Sequence, residues 1–341
     1  MSQPLRPMNL GEILDRTLQI YRRHFLPFTA FATVPTMVVQ CVSIADEHWF
    51  HLYSSATKDV TWSVGKTMLQ VIFAIGYFHF SGFFGMLVSP AITNLASGTT
   101  LGEENSFYQA VRFLGSRWRT YLWLSALKLT CELILAELLA ISAFAGTMAL
   151  FEAIGANHML EPIPAFGVML FWMAAGFTLF LWVGALLSLA IPTAALEGVS
   201  SLRAMGRSLK LSRDSRLRIA FAWLAVAIAS WAITASLLVL DRSVFLLLVR
   251  ATHSRFIGYT IYPITDRILV IIFGTVVGPI FPIALTLFYY DQRIRHEGFD
   301  IERMMDAAGL NPPATPESAA ALTASPGQDP AAPASVEESK A

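Results

Sequence analysis

Charged residues are scarce in this chain of 341 residues, since Lys, Arg, Asp and Glu together make up only 14% of it. Hydrophobic residues make up 55%, above the norm of about 45–50% for soluble globular proteins. The formal net charge is zero, which removes whole-protein electrostatics as an argument for nucleic-acid binding. Two cysteines are too few for a disulfide framework. The composition favours an integral membrane protein and predicts no nucleic-acid partner.

The sequence also lacks any stretch that reaches the specificity of a known catalytic motif. A small cluster of Asp46, Glu47, His48 and His51 follows the first apolar run, but its spacing matches no strong zinc signature. We therefore predict no metal, no cofactor and no catalytic residues. An intramembrane lipid enzyme, which needs an acid and a base converging on a substrate, is the weakest functional hypothesis.

Six apolar runs are long enough to cross a bilayer, which takes about 20 residues of helix. The runs cover roughly 25–45, 67–96, 119–151, 164–197, 217–249 and 265–290. Residues 1–24 are polar and amphipathic, so we expect the first run to be an uncleaved transmembrane helix and not a signal peptide.

A basic amphipathic stretch precedes the first, third and fifth runs. Superposing Leu18, Val111 and Leu209 aligns these stretches at spacings of 93 and 98 residues. The second run of each pair also carries a proline at a related place: Pro90, Pro192 and Pro282. Such periodicity predicts an all-α integral membrane fold, with six transmembrane helices as three pseudo-repeated hairpins, each preceded by a basic amphipathic interfacial helix.

The predicted membrane domain spans residues 1–306. Its repeats cover approximately 8–96, 103–197 and 200–290, and a short cytoplasmic helix follows them. Residues 311–341 are dominated by Ala, Pro, Ser and Glu and contain no aromatic residue to seed a core. We expect them to form a disordered cytoplasmic tail.

The positions of Lys and Arg predict the orientation of such a bundle, because cytoplasmic loops carry an excess of them. With six spans, 17 of the 24 cations lie on the side of the N-terminus and six on the other, with Lys128 inside a span. The predicted localisation is the bacterial inner membrane, multi-pass, with both termini in the cytoplasm.

The first amphipathic stretch has helical spacing from Leu10, and Asn9 with Glu12 forms a plausible capping box. Helices of this kind lie at the membrane interface with cations near anionic headgroups. The candidate interfacial cations are Arg16, Arg22, Arg23, Arg112, Arg117, Arg119, Arg207, Lys210 and Arg213. These charges fit two hypotheses: connecting helices that only enforce topology, or a surface that senses lipid or docks partners.

Four ionisable residues fall within predicted spans, where charge is costly and often functional. Lys128 and Glu132 stand one helical turn apart and can pair, and Glu137 lies further along the same run. The charges can lock hairpins together structurally or line a polar pathway or ligand site. His79, flanked by glycines, is expected to hydrogen-bond a neighbouring helix.

The opening MNLGEILDRTLQIYRRHFLPF, the Pro90 and Pro192 segments, and LTLFYYDQRIRHEGFDIERM after the last run carry a family resemblance. The chain resembles bacterial multi-pass membrane proteins related to the membrane domain of glycerophosphoryl diester phosphodiesterases, over most of residues 5–306. That family's hydrolytic activity belongs to a separate catalytic barrel, and we expect this barrel to be absent here because too few residues lie outside the membrane units. The resemblance therefore implies an architecture and no activity.

Taken together, these patterns predict a non-enzymatic inner-membrane protein that organises lipid or partner proteins at the cytoplasmic interface. Expected partners are membrane lipids with anionic headgroups, together with protein partners or further copies of the chain. The alternative is a small transporter or channel with a polar site at Lys128 and Glu132, because internal repeats and midplane charges recur in transporters.

Overall fold

The computed structural model describes residues 6–55, 61–103, 106–132, 134, 162–254, 256–257 and 261–310. Side chains in 46–75 and at 78–79 are outside that description, so the acidic and histidine cluster predicted at 46–51 is not described. The described residues are almost entirely helical and contain no strand. An all-helical fold, predicted from the apolar periodicity, is confirmed.

Twelve helices follow one another along the described parts of the chain. They are α1 (Leu10–Arg23), α2 (Phe25–Ser55), α3 (Thr61–Leu101), α4 (Phe107–Ser116), α5 (118–132), α6 (Pro162–Leu187), α7 (Ala190–Glu197), α8 (Ser201–Leu211), α9 (Arg216–Thr252), α10 (Tyr262–Val277), α11 (Ile280–Glu297) and α12 (Phe299–Ala307). The chain divides into two compact units, one ending at Glu297 and one beginning at Gly298, and the second contains α12.

Local capping explains where two of the three amphipathic helices, α1 and α4, begin. The Asn9 side chain accepts a hydrogen bond from the Glu12 amide at 2.8 Å, and the Glu12 carboxylate accepts one from the Asn9 amide at 2.9 Å. The predicted capping box is confirmed. Ser106 and Gln109 form the same arrangement at the start of α4. Each box satisfies backbone N–H groups that the first helical turn leaves without intrahelical partners.

Four helical segments are long and apolar enough to cross a membrane. They are Phe25–Ala45, Ala174–Glu197, Arg216–Thr252 and Tyr262–Glu297, which agree with the first, fourth, fifth and sixth apolar runs. The second run lies inside α3, and the third begins in α5 and continues outside the described residues. The membrane-protein class is supported, and six spans remain a prediction.

Two of the amphipathic helices pack against the helix that precedes them in the chain, and the first packs against α11. Helix α4 packs on α3, α8 packs on α7, and α1 packs on α11. In these three helices Thr17, Ala110 and Ser208 are each fully buried. They are spaced 93 and 98 residues apart, the spacings of the aligned basic stretches. Small side chains at these points let the helices approach closely.

The long helices meet at glycines that also recur at fixed spacings. Gly82, Gly184 and Gly274 have the spacings of Pro90, Pro192 and Pro282. A Cβ at Gly82 would lie 3.3 Å from Leu129 in α5, and one at Gly274 would lie 2.7 Å from Thr36 in α2. Leu129 and Thr36 are themselves 93 residues apart. Helix α10 therefore meets α2 as α3 meets α5.

Candidate functional site

Lys128 and Glu132 form a buried ion pair on α5. The Lys128 ammonium lies 2.8 Å from Glu132 Oε1, and the two residues are 7% and 2% exposed. The approach is not aligned for a hydrogen bond, and Oε1 has no hydrogen-bond partner among the described residues. The predicted pairing is confirmed. A buried carboxylate with an open acceptor site is costly, because its attraction to Lys128 only partly offsets the loss of hydration.

The ion pair lies in the wall of a cavity of about 260 Å³. Described parts of six helices contribute to the wall: 82–93 of α3, Lys128 and Glu132 of α5, 180–185 of α6, 191–192 of α7, 219–223 of α9, and 281–285 of α11. Most of the lining is apolar, and Trp223 packs edge-on against Phe180 at 5.9 Å between ring centroids. The cavity therefore combines a mostly apolar wall with one buried ion pair.

Hydroxyl groups supply the other polar atoms of the cavity wall, at Ser89, Thr93 and Ser188. Ser89 donates to the Gly85 carbonyl at 2.9 Å, and Ser188 donates to the Ala185 carbonyl at 2.8 Å. Since their protons are engaged by their own helices, these two oxygens can only accept from a ligand. Glu132 can also accept, while the Lys128 ammonium can only donate, so the wall suits a polar group that donates to Glu132 and can also accept.

Two long helical segments are each broken in the middle beside the cavity. One break lies between α6 and α7, and the other lies between α10 and α11. At each interruption, a backbone carbonyl accepts a hydrogen bond from a hydroxyl group in an amphipathic helix or in the residue that caps it. Ser208 and Ser212 donate to the Leu186 carbonyl at 2.8 and 3.2 Å, and Tyr21 donates to the Val276 carbonyl at 2.5 Å. Burial raises the pKa of Tyr21 to about 12, so its hydroxyl remains a donor across the neutral range.

These two contacts are related by the repeat spacings. Leu186 and Val276 are 90 residues apart, like Pro192 and Pro282, while Tyr21 and Ser212 are 191 residues apart, like Leu18 and Leu209. The amphipathic helices therefore complete the hydrogen bonding of broken helices at the cavity, in addition to carrying surface charge.

A fully buried carboxylate, Asp291 of α11, joins the two ends of the first unit. It accepts hydrogen bonds from the Met8 amide at 2.8 Å and from Arg295 Nε at 3.0 Å, and Arg218 lies 3.4 Å away. Both arginines also donate to the Met8 carbonyl, at 2.8 and 2.9 Å. Every strong acceptor in this cluster is thereby matched by a donor, as burial of charge requires.

A second ionic cluster surrounds Glu197 at the end of α7. Arg207 of α8 donates to Glu197 at 2.6 Å and lies 2.6 Å from Glu297, and the Tyr289 hydroxyl donates to Glu197 at 3.0 Å. Burial alone would lower the pKa of Arg207, but bonds and charges from the two glutamates raise it above its ordinary value. We call these two clusters the charged end: Met8, Glu197, Arg207, Arg218, Tyr289, Asp291, Arg295 and Glu297.

The predicted interfacial cations differ in their surroundings. Arg22, Arg23, Arg112, Arg117, Arg119, Lys210 and Arg213 are exposed, while Arg16 and Arg207 are partly buried. Although exposed, Arg117 donates to the Gly198 carbonyl next to α7. Burial lowers the pKa of Arg16. Arg207 and Arg117 thus bind within the protein as well as carrying surface charge.

Two predicted intramembrane candidates cannot be placed at the cavity. The backbone of His79 lies in α3, but its side chain is outside the described residues, and so is all of Glu137. Within the described part of the chain, no group of His, Cys, Asp and Glu could hold a metal ion.

Sequence reasoning missed Asp291 and the hydroxyl donors Tyr21, Ser208 and Ser212. In the sequence YYDQRIR, Asp291 is a single acidic residue among arginines and tyrosines. This pattern was the available sign of a buried ionic cluster. The hydroxyls occupy the apolar face of their helices, where a polar residue needs a partner when it is buried.

Comparison with protein-family models, curated proteins and solved structures finds no match to this chain. The resemblance to the membrane domain of the phosphodiesterases stays a prediction.

Proposed function

We propose that this chain is a non-enzymatic inner-membrane protein whose three amphipathic helices organise anionic lipid at the cytoplasmic interface. Leu18, Val111 and Leu209 carry the proposal: they occupy equivalent places in the three aligned stretches and are 54%, 43% and 42% exposed. Each helix buries one face in the bundle and leaves this apolar residue outside, beside exposed cations. Apolar contact with acyl chains and cation contact with headgroups then bind the same helix.

The proposed arrangement is a ring of three hairpins with six spans. Its support is the recurrence of contacts at the repeat spacings, with α1 on α11, α4 on α3 and α8 on α7. Fully buried Phe28 and nearly buried Tyr121 and Ile219 have the same spacings at the starts of α2, α5 and α9. In this arrangement α4 packs on the first hairpin and α8 packs on the second. Helix α1 occupies the equivalent place on the third hairpin.

Aromatic and apolar residues at the starts of the long helices support an interfacial position for this side of the bundle. Phe25, Trp118 and Leu217 are 41%, 55% and 63% exposed and lie within six residues of the ends of α1, α4 and α8. Aromatic side chains are enriched at the depth where headgroups meet acyl chains.

The lipid role can be tested by replacing exposed cations next to the equivalent apolar residues. Arg112→Gln with Lys210→Gln should reduce the salt-sensitive enrichment of phosphatidylglycerol around the protein in mixed nanodiscs. Each cation near an anionic surface contributes about 1 kcal/mol, so a several-fold loss is expected. Arg242→Gln with Arg250→Gln, two exposed cations of α9, is the matched control. Equal losses in both pairs would contradict the proposal.

The predicted topology has its own test. A single cysteine at Ser200, with Cys41 and Cys131 replaced by serine, should react with an impermeant maleimide only from the cytoplasmic side. Labelling of intact cells from the periplasm would reverse the orientation and remove the basis for lipid binding by cytoplasmic anionic headgroups.

A small transporter is the second candidate, favoured by the position of Lys128 and Glu132 in the cavity wall. Charges inside a membrane bundle often mark transport pathways. Transport requires access to the cavity from both sides of the membrane in turn. A cysteine at Ser188 in reconstituted vesicles should then react from both sides, whereas an organising protein with a static cavity predicts reaction from one side at most.

A further inference from the structure

We propose that the cavity is a binding site for a small neutral amphiphile, with an apolar body and a hydroxyl or amide group that donates to Glu132. The proposal requires neither lipid organisation by the amphipathic helices nor transport. It stands on the composition of the cavity wall and on the incomplete hydrogen bonding of one buried carboxylate.

The apolar body is indicated by the walls. Met86, Phe180, Trp223, Phe281 and Leu285 contribute large apolar side chains from four helices. The volume of about 260 Å³ is near the lower end of small-molecule sites, which run from about 300 to 1,000 Å³. It holds the whole of a small molecule or the end of a larger one.

The donor group is indicated by Glu132. Its Oε1 is buried and lacks a hydrogen-bond partner among the described residues, and it lies 3.8 Å from where a Cβ of Gly184 would be. Gly184 itself lines the cavity, so its missing side chain leaves this oxygen open to a ligand. Lys128 already balances the charge of Glu132, which favours a neutral donor over a cation.

This pair is also where the repeats differ. Residues at the same register are Pro35 and Val39 in α2, and Val226 and Ser230 in α9. A charged pair is thus present in the second hairpin alone, although the structural contacts of the hairpins recur without it. The pair occurs at the cavity and is missing at the equivalent positions of the other two hairpins. This distribution fits a role in ligand binding better than a role in packing the hairpins together.

The test uses the full chain in nanodiscs and an octanol that carries a photoreactive diazirine. Labelled residues, located by mass spectrometry, should concentrate in 82–93, 180–192 and 219–223, and not on the exposed face of α9. Gly184→Leu should fill the space beside Glu132 and reduce this labelling about tenfold, the equivalent of losing about 1.4 kcal/mol. Gly167→Leu in the same helix is the matched control, since a Cβ there meets no atom within 4 Å.

Competition separates the donor group from the apolar body. Unlabelled 1-octanol should compete about tenfold better than octane, because its hydroxyl can donate a hydrogen bond to the charged acceptor and octane cannot. Dioctanoylglycerol provides the same hydroxyl chemistry on a lipid. Stronger competition by octanol would identify a free amphiphile as the occupant, and stronger competition by the glycerolipid would identify a lipid hydroxyl.

Lys128→Met combined with Glu132→Leu keeps the side-chain volumes similar and removes both charges, so folding should survive. Its labelling should persist while the preference for octanol over octane disappears. Equal competition by octane and octanol in the unmodified protein would overturn the donor contact. Labelling spread evenly over exposed apolar residues would overturn the site.

Discussion

Helices α10 and α11 follow one another with only two residues between them, yet they are packed very differently. Helix α10 has no buried residue, whereas eleven residues of α11 are buried, including Asp291. Helix α9 shows the same contrast within one element: Ile219 and Ala222 are buried, and no described residue from 223 to 252 is. Tight packing is therefore concentrated at the charged end, and we call 223–252 together with α10 the apolar surface.

The difference has a physical explanation if the apolar surface faces lipid. In water, exposed Leu and Ile side chains such as Leu247 and Ile264 would drive association. Lipid chains are as apolar as these side chains, so little is gained by burying them against protein. Ionic and hydroxyl groups are different, because each must find a partner inside the protein wherever water is excluded.

The largest expected effect is at Asp291. Asp291→Ala removes the acceptor shared by the Met8 amide and Arg295 and leaves two arginine side chains without it. We expect a loss of about 3 kcal/mol in unfolding free energy, measured in detergent, because the partners are left partly buried and uncompensated. Asp214→Asn, at an exposed pair with His296, should change stability by less than about 0.5 kcal/mol. Equal losses of stability in the two variants would contradict the claim that the charged end contributes more to stability than an exposed ion pair.

The contrast within α9 predicts the next largest effect. Ile219→Ala should cost about 2 kcal/mol, since Ile219 is 1% exposed and its truncation leaves space in the packing. Leu247→Ala, at a residue 65% exposed, should stay within about 0.5 kcal/mol. Thermal unfolding in nanodiscs compares the two directly. A large loss for Leu247→Ala would mean that the apolar surface is covered by protein.

The Lys128 and Glu132 pair should have an intermediate effect. Lys128→Ala leaves Glu132 unpaired or protonated, so the joint replacement by alanine should be milder than the single changes suggest. A double-mutant cycle in detergent or lipid measures the coupling, expected between a few tenths and about 2 kcal/mol. Absence of coupling would show that the ion pair between Lys128 and Glu132, 2.8 Å apart, contributes nothing to stability.

The hydroxyl contacts at the broken helices should have the smallest effect of the four. Tyr21→Phe removes the donor to the Val276 carbonyl and should cost about 1 kcal/mol. Ser208→Ala with Ser212→Ala removes both donors to the Leu186 carbonyl and should cost a similar amount. Ser243→Ala, whose hydroxyl bonds within its own exposed helix, is the control and should be nearly neutral. An equally large loss of stability for Ser243→Ala would show that the other losses do not arise from the hydrogen bonds at the broken helices.

The comparison also shows which features can be predicted from sequence. The capping box at Asn9 and the pair at Lys128 and Glu132 lie within four residues, so helical periodicity alone locates them. The four helical segments that are long and apolar enough to cross a membrane follow from length and hydropathy.

The cavity and the charged end depend on contacts between distant parts of the chain. Asp291 and the Met8 amide are 283 residues apart, and no local pattern identifies one as the partner of the other. The carbonyl groups of Leu186 and Val276 belong to the backbone, so their need for donors follows from where helices break. The repeat spacings come closest to predicting these contacts, because they relate Tyr21 to Ser212 and Leu186 to Val276.

The most direct measurement of the central claim is the membrane depth of Leu18, Val111 and Leu209. Each is replaced in turn by a nitroxide-labelled cysteine in nanodiscs, and its relative accessibility to oxygen and to a polar nickel chelate reports depth. The account predicts one shared depth near the boundary of headgroups and acyl chains, agreeing within about 5 Å, one helical turn. A label in bulk water, or labels in opposite leaflets, would contradict it.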